Sequence, residues 1–460
     1  MAKNNLISLS LQRQIENSRL NMESEVNKSM NQLGIRTLLC RSGIQKQKGC
    51  SPVSLLFALI LLPLIKESIT ALWREGFYNR FLEAQKDTYY RFLNRPKFNW
   101  RKLIALLLNR ILVKWDHSEF NQRVLIVDDT VLPKTGNQME LVSYHFDHKT
   151  GRSQLGYQML QLGYHNGHFF FPVDVGFHTS KNRPNDQTAV IDRRTSGWKR
   201  RQETFEKKTS LLQQMLRRCD QSGISARFVM FDSWFANDSL ISNILEIGYG
   251  VLCRLKATKT HYCYKGQWST LKQLWHDVAR HQLCNVPGWN IKATAINVDL
   301  PLSGTVRIVF VRWSKKRWHC FLCTETDLSV AEILNYYARR WAIEVYFKDC
   351  KQLLALGRGQ SESFDALIAW TSIVMIRYLL LVHILSKRHK PGSIGPLFRE
   401  LAQEQLQLSV VSAIWSRVRQ ALMMSSQLLS SESDTETFFY LLDLIESTML
   451  DTCTETCAKL

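Results

Sequence analysis

The chain has 460 residues, with 60 Lys and Arg against 40 Asp and Glu, a formal charge of +20 and an isoelectric point near 9.5. Hydrophobic residues make up 45%, which excludes a disordered or collagen-like chain and is enough for roughly two to four domains of about 100–200 residues each. An excess of this size argues for a polyanionic partner.

Residues 1–115 read as mostly helical, with Leu and Ile spaced three to four apart. Within them Thr88 to Arg110 interleaves Tyr89, Tyr90, Phe92, Phe98 and Trp100 with Arg91, Arg95, Lys97, Arg101 and Lys102. That pattern suits either phosphate contacts backed by packing or an amphipathic helix pair with a solvated basic face. The period then changes. Val124 to Val127 is a continuous apolar run ending in Asp128-Asp129-Thr130, as a buried strand reads. Tyr157 to Tyr164 and His168 to Val175 flank Asn166-Gly167, which predicts a hairpin. A basic helical segment leads to a second buried strand, Phe228 to Phe231, ending at Asp232, with a helix over Asp238 to Ile247. From 250 to 327 short alternating segments (Ile291 to Val298, Val306 to Trp313, Trp318 to Cys323) predict a β insertion. Ser329-x-x-Glu332 is a capping box ahead of a helix to about Leu354. Ala366 to Leu385 is long and apolar but contains Arg377 and His383, so it reads as a core helix and not a membrane span.

The fold class is therefore α/β, partitioned as 1–115, 116–255, 256–326, 327–386 and 387–460, with helical regions at both ends. From Glu400 onward nine acidic residues face three basic ones, a net of −6 that leaves +26 on the first 399 residues. A basic body suits nucleic acid, and the acidic, helical tail suits self-shielding or dimerisation. Eleven cysteines without a repeated spacing fit reduced thiols. The N-terminus, MAKNNLISLSLQ, lacks the apolar core of a secretory signal, so the chain is expected to stay in the cytoplasm.

Three acids are placed for chemistry: Asp128 and Asp232 at strand ends, and Glu344 on the late helix. On an ideal helix Tyr337, Arg340, Glu344, Lys348 and Lys351 fall within an arc of about 80°, at the rim of a core face formed by Tyr336, Ile343, Phe347, Cys350 and Leu354. Carboxylates from separate elements suit two Mg²⁺ ions, with Mn²⁺ as a substitute, about 3.5–4 Å apart in phosphoryl transfer. The flanking cations suit phosphates. Arg193, Arg194, Lys199, Arg200, Arg201, Lys207 and Lys208, with Trp198, form a basic run expected on the DNA backbone, with a solvated helix face as the competing reading. Cys320 and Cys323 lack a second pair at zinc spacing, and His145 with His148 is at most a half-site. A GxxxxGK[ST] phosphate loop is absent from the sequence.

Tyr337-x2-Arg340-x3-Glu344-x6-Lys351, within YYARRWAIEVYFKDCK, resembles the Tyr-Arg-Glu-Lys signature of DDE transposases encoded by bacterial insertion sequences. VDDTVLPKTG (Val127 to Gly136) is similar to that family's first-aspartate strand and FDSWFANDSL (Phe231 to Leu240) to its second, and the likeness spans roughly residues 85 to 385. The resemblance implies a ribonuclease-H-like core split by a β insertion. It also implies cut-and-paste transposition: end nicking, hairpin formation and opening, and strand transfer into target DNA. It assigns the metals to Asp128, Asp232 and Glu344, and the grip on the transposon end to Tyr337, Arg340 and Lys351. The partners it implies are terminal inverted repeats, target DNA and a second copy of the chain. The implied setting is the nucleoid of a bacterial cytoplasm. Asp129 stands as the alternative to Asp128, which directly ends the apolar run. Trp268, Trp289, Trp313 and Trp318 are candidates to meet an unstacked base. A DNA-binding protein that does not cut, and another ribonuclease-H-like nuclease, are the competing readings.

Overall fold

The computed structural model describes residues 24–66, 68–70, 84–147, 151–185, 188–314, 317–388 and 393–406, with the isolated positions 418, 440 and 445. Its centre is one mixed sheet. β1 (Val124–Pro133) pairs antiparallel with β3 (Arg152–His165) and parallel with β5 (Phe228–Phe231), which in turn runs parallel to β6 (Gly250–Leu255). β2 (Ser143–Asp147) and β4 (Phe170–His178) pair with successive stretches of β3. Val124 to Val127 and all of β5 are buried, as strands with parallel neighbours and both faces covered require.

The predicted first strand extends six residues further than its apolar run, so the two acids lie inside β1 and not after it. β2 was not visible in the sequence. The hairpin forms where expected: Gly167 takes a φ of +96° and Asn166 Oδ1 accepts from the N–H groups of His168 and Phe169.

The segment 256–326, expected as a β insertion, continues the same sheet. β12 (Trp318–Cys323) pairs antiparallel with β6, followed outward by β11 (Gly304–Arg312), β10 (Lys292–Leu300), β7 (His261–Tyr264) and β8 (Gln267–Thr270), while the short β9 (Cys284–Asn285) pairs with β10.

Among the described residues five helices precede the sheet: α1 (Glu25–Gln32), α2 (Ile35–Arg41), α3 (Pro52–Leu61), α4 (Lys86–Leu93) and α5 (Trp100–Trp115). Tyr89, Phe92, Phe98 and Trp100 are buried, whereas Arg91, Arg95, Lys97 and Lys102 are exposed, the pattern of an amphipathic pair with a solvated basic face. Between β4 and β5 lie α6 (Ser196–Glu203) and α7 (Lys208–Gln221); α8 (Asp238–Ile247) follows β5 and α9 (Leu271–Asp277) follows β8. The Ser329/Glu332 capping box opens α10 (Val330–Ala338). The predicted single helix is then interrupted, because the N–H groups of Arg339, Arg340 and Ala342 bond to carbonyls three residues back before α11 (Trp341–Gln352) begins.

α12 (Phe364–Lys387) is the one helix among the described residues long and apolar enough to span a membrane, and nearly all of it is inside the molecule. It packs against α1, α3, α4 and α5. Its Arg377 donates to the carbonyls of Leu59, Ile60 and Leu354. The region expected over 387–460 falls mostly outside the described residues.

Candidate active site

The parallel register of β1 and β5 pairs Val124 with Phe228 and Ile126 with Met230. Asp128 lies inside β1 two residues past the last of these pairs, and Asp232 follows directly on the end of β5, so the two acids sit on adjacent parallel strands. Their charges interact, and Asp128 is held up at about 7. Burial is the largest cause; Asp129 and Asp232 add to it, while Arg340 and the N–H of Asp129 oppose it.

α11 packs on β1 and β4 and brings up Glu344. Arg340, in the turn before α11, joins the elements: one terminal nitrogen lies 3.4 Å from Asp128 Oδ2 and the other donates to Glu344 Oε1. Tyr337 sits behind it, with its ring 4.7 Å from Phe321 and 5.8 Å from the Arg340 guanidinium. Lys351 is turned onto β1, donating to Thr130 Oγ1 at 2.6 Å, while Lys348 is exposed.

Alternation separates the two neighbouring acids. Asp129 accepts from Lys208 Nζ at 2.6 Å and from Gln158 Nε2 at 3.0 Å, so it is paired away from Arg340. Asp128 is the acid that faces Arg340 and Asp232.

The basic run divides. Arg193, Arg194 and Lys199 are exposed, with Arg194 paired to Asp192. Arg200 and Arg201, expected on the DNA-facing surface, are 5% and 3% exposed. Arg201 is bonded to Glu140 and Asp365, and Arg200 lies 3.9 Å from Asp174 and Glu203. Buried arginines need such partners, and these two are spent on the interior. Among the candidate tryptophans, Trp268 and Trp313 are exposed, Trp289 is partly buried against the core and Trp318 stacks on Trp275 at 5.1 Å. Two exposed tryptophans nearer the acids carry no expectation from the sequence: Trp341, which opens α11, and Trp234, two residues after Asp232.

Among the described residues no three His, Cys, Asp or Glu side chains gather closely enough to hold a metal as they stand. His145 is buried against Ser143 Oγ, and His148 lies outside the described residues. The donor set around Arg340 nevertheless fits a hard divalent cation. It offers carboxylate oxygens only, one of them destabilised when ionised, and an arginine already bridges Asp128 to Glu344 as a stand-in positive charge.

With this geometry in place, comparison with known proteins gives a direct result. Residues 61–267 match the DDE superfamily endonuclease family. The match includes Asp128 and Asp232 and ends before Glu344, whose place in the site rests on the Arg340 bridge. No curated protein matches the chain. Among solved structures it is similar to a cryo-EM structure of the piggyBac transposase synaptic complex with hairpin DNA, at a TM-score of 0.48 and 10% identity, covering 90% of this chain and 86% of that one.

Proposed function

We propose that this protein is a cut-and-paste DNA transposase of a bacterial insertion sequence, with Asp128, Asp232 and Glu344 as its catalytic acids. The observation that carries the reading is the convergence at Arg340: Asp128 within β1 and Asp232 just after β5 lie on adjacent parallel strands inside the family match, and Arg340 ties Asp128 to Glu344. The three carboxylates would hold two Mg²⁺, or Mn²⁺, which when bound supply the charge neutralisation that in-line phosphoryl transfer needs.

The chain's own groups do the rest. Arg340 presents a planar fork suited to a phosphate as well as to carboxylates. Tyr337 fixes its orientation from behind, and exposed Lys348 extends positive charge along α11. Arg193, Arg194 and Lys199 contribute to the basic body that attracts the duplex. Two element ends must be cut in concert, so a homodimer on paired ends is the assembly that goes with this reading. Its setting is the nucleoid of a bacterial cytoplasm.

The test is cleavage of a DNA fragment carrying the sequence that flanks the gene, with Mg²⁺ or Mn²⁺. Wild type should give site-specific nicks and hairpins; Asp232→Asn and Glu344→Gln should bind the same fragment without cutting it. Binding without cleavage by all three proteins would favour a non-cutting DNA-binding protein. Cleavage indifferent to either substitution would remove this active site.

A further inference from the structure

We propose that Trp234, backed by Lys208, is a stacking surface for a nucleobase of the DNA strand that enters the carboxylate site. The inference rests on the transposase reading and adds a residue to it.

Position comes first. Trp234 lies in the turn after β5, where its backbone N–H donates to Asp232 Oδ1 at 2.9 Å, and its ring rests over Lys208, whose ammonium is bonded to Asp129, the neighbour of Asp128 on β1. Exposure comes second. The next residue, Phe235, is buried at 2%, whereas Trp234 is 56% exposed. The turn thus sends one aromatic ring into the core and the other outward.

Its ring is also held. Phe235 meets it edge-on at 4.8 Å and 79°, and Lys208 Nζ lies 3.6 Å from its centroid. Lys208 is fixed in turn by Asp129 at 2.6 Å. A ring clamped by a cation on one face and an edge contact has little freedom left to lose when a flat ligand meets its other face.

The surroundings select the ligand. A lone exposed tryptophan is too small a patch for an apolar protein surface. An ammonium beneath the ring, and the +26 carried by the first 399 residues, favour a polyanion whose units have both a phosphate and a π-face. This arrangement also accounts for Asp129, which sits beside a catalytic acid yet is paired away from it. Its part is to anchor Lys208 beneath the ring.

The experiment compares two fluorescein-labelled 12-mers in metal-free buffer with EDTA: oligo(dT), and a fully abasic strand with the same phosphates. Wild type should bind oligo(dT) more tightly. Trp234→Leu should weaken oligo(dT) binding roughly tenfold or more, the range expected of one lost base–aromatic contact, and leave the abasic strand unaffected. Trp234→Tyr, which keeps a π-face, should retain most of the preference. Because the side chain is exposed, thermal midpoints should be unchanged, which separates stacking from folding. The proposal is overturned if Trp234→Leu binds oligo(dT) like wild type, or if it loses both strands equally. No cleavage enters this assay. A Trp234-dependent preference in a protein that never cuts would keep the stacking surface and sink the transposase reading, while cutting without that preference would do the reverse.

Discussion

Asp128 keeps its proton to about pH 7 because burial and the charges of Asp129 and Asp232 outweigh the pull of Arg340. An acid whose pKa is higher in the folded chain than in the unfolded one binds more protons when folded, so stability falls as pH rises from about 4 to about 7. Asp128→Asn removes that penalty. In metal-free buffer it should be indistinguishable from wild type near pH 4 and more stable at pH 8, by about 1–4 kcal/mol. Thermal unfolding at the two pH values checks this, and a variant less stable than wild type at pH 8 would show that the ionised carboxylate is not strained. The sequence could say that Asp128 and Asp129 point to opposite faces, since strand alternation requires it. Which face the late helix covers depends on contacts more than 200 positions apart, Arg340 to Asp128 among them, and periodicity carries nothing about those. Arg200 and Arg201 were misread for the same reason. Their partners Asp174, Glu140 and Asp365 are distant in the chain, and an arginine run with unseen partners looks like a solvated surface.

Buried ion pairs fasten the helices of the first half to the sheet edge. Asp174 on β4 meets Arg101 of α5 at 2.9 Å and Arg218 of α7 at 2.8 Å, and Glu203 of α6 completes the group through Arg101. Burial alone would push the Asp174 carboxyl up; Arg101, Arg218 and Arg200 together hold it down at about 2. A depressed pKa stabilises the fold above the unfolded value near 4, and that contribution is lost as pH falls toward 2. Asp174→Asn should therefore cost about 3–5 kcal/mol at pH 7, as breaking a buried pair does, and much less below pH 3. Urea unfolding at pH 7 and pH 2.5 separates the two cases, and an equal cost at both would mean that packing, not charge, joins these elements. At this scale the sequence was most legible where a pattern is local. β5, β12 and α8 have the predicted residues, and the Ser329 cap is in place. β2 and the break at Arg339–Arg340 were not legible, because a five-residue edge strand and a tightened turn are set by their neighbours.

At the scale of the whole molecule, the division of the chain near residue 115 is crossed by extensive packing. A helical DNA-binding region ahead of a separate catalytic core would place the boundary near residue 115, but α12 lies past the last strand and is buried against α1, α3, α4 and α5. The join is polar as well as apolar: Arg377, buried and pushed down to about 9 by that burial, satisfies the carbonyl ends of α3, and Trp115 Nε1 donates to His383 Nδ1 at 2.9 Å. Removing residues 1–115 would uncover the part of α12 packed against α1, α3, α4 and α5, where a fully buried aliphatic side chain is worth about 1.5–3 kcal/mol, and would leave a buried arginine without two of its acceptors. A domain's net stability is only about 5–15 kcal/mol, so the loss exceeds what the remainder holds in reserve. A chain of residues 116–406 should accordingly be aggregated or lack a cooperative thermal transition, by size exclusion and circular dichroism, whereas the full chain should melt cooperatively. If the fragment melted sharply at the full-chain midpoint, the early helices would be an independent module after all. If it does not, any DNA contact made by α4 or α5 is mechanically continuous with the helix that backs the carboxylate site.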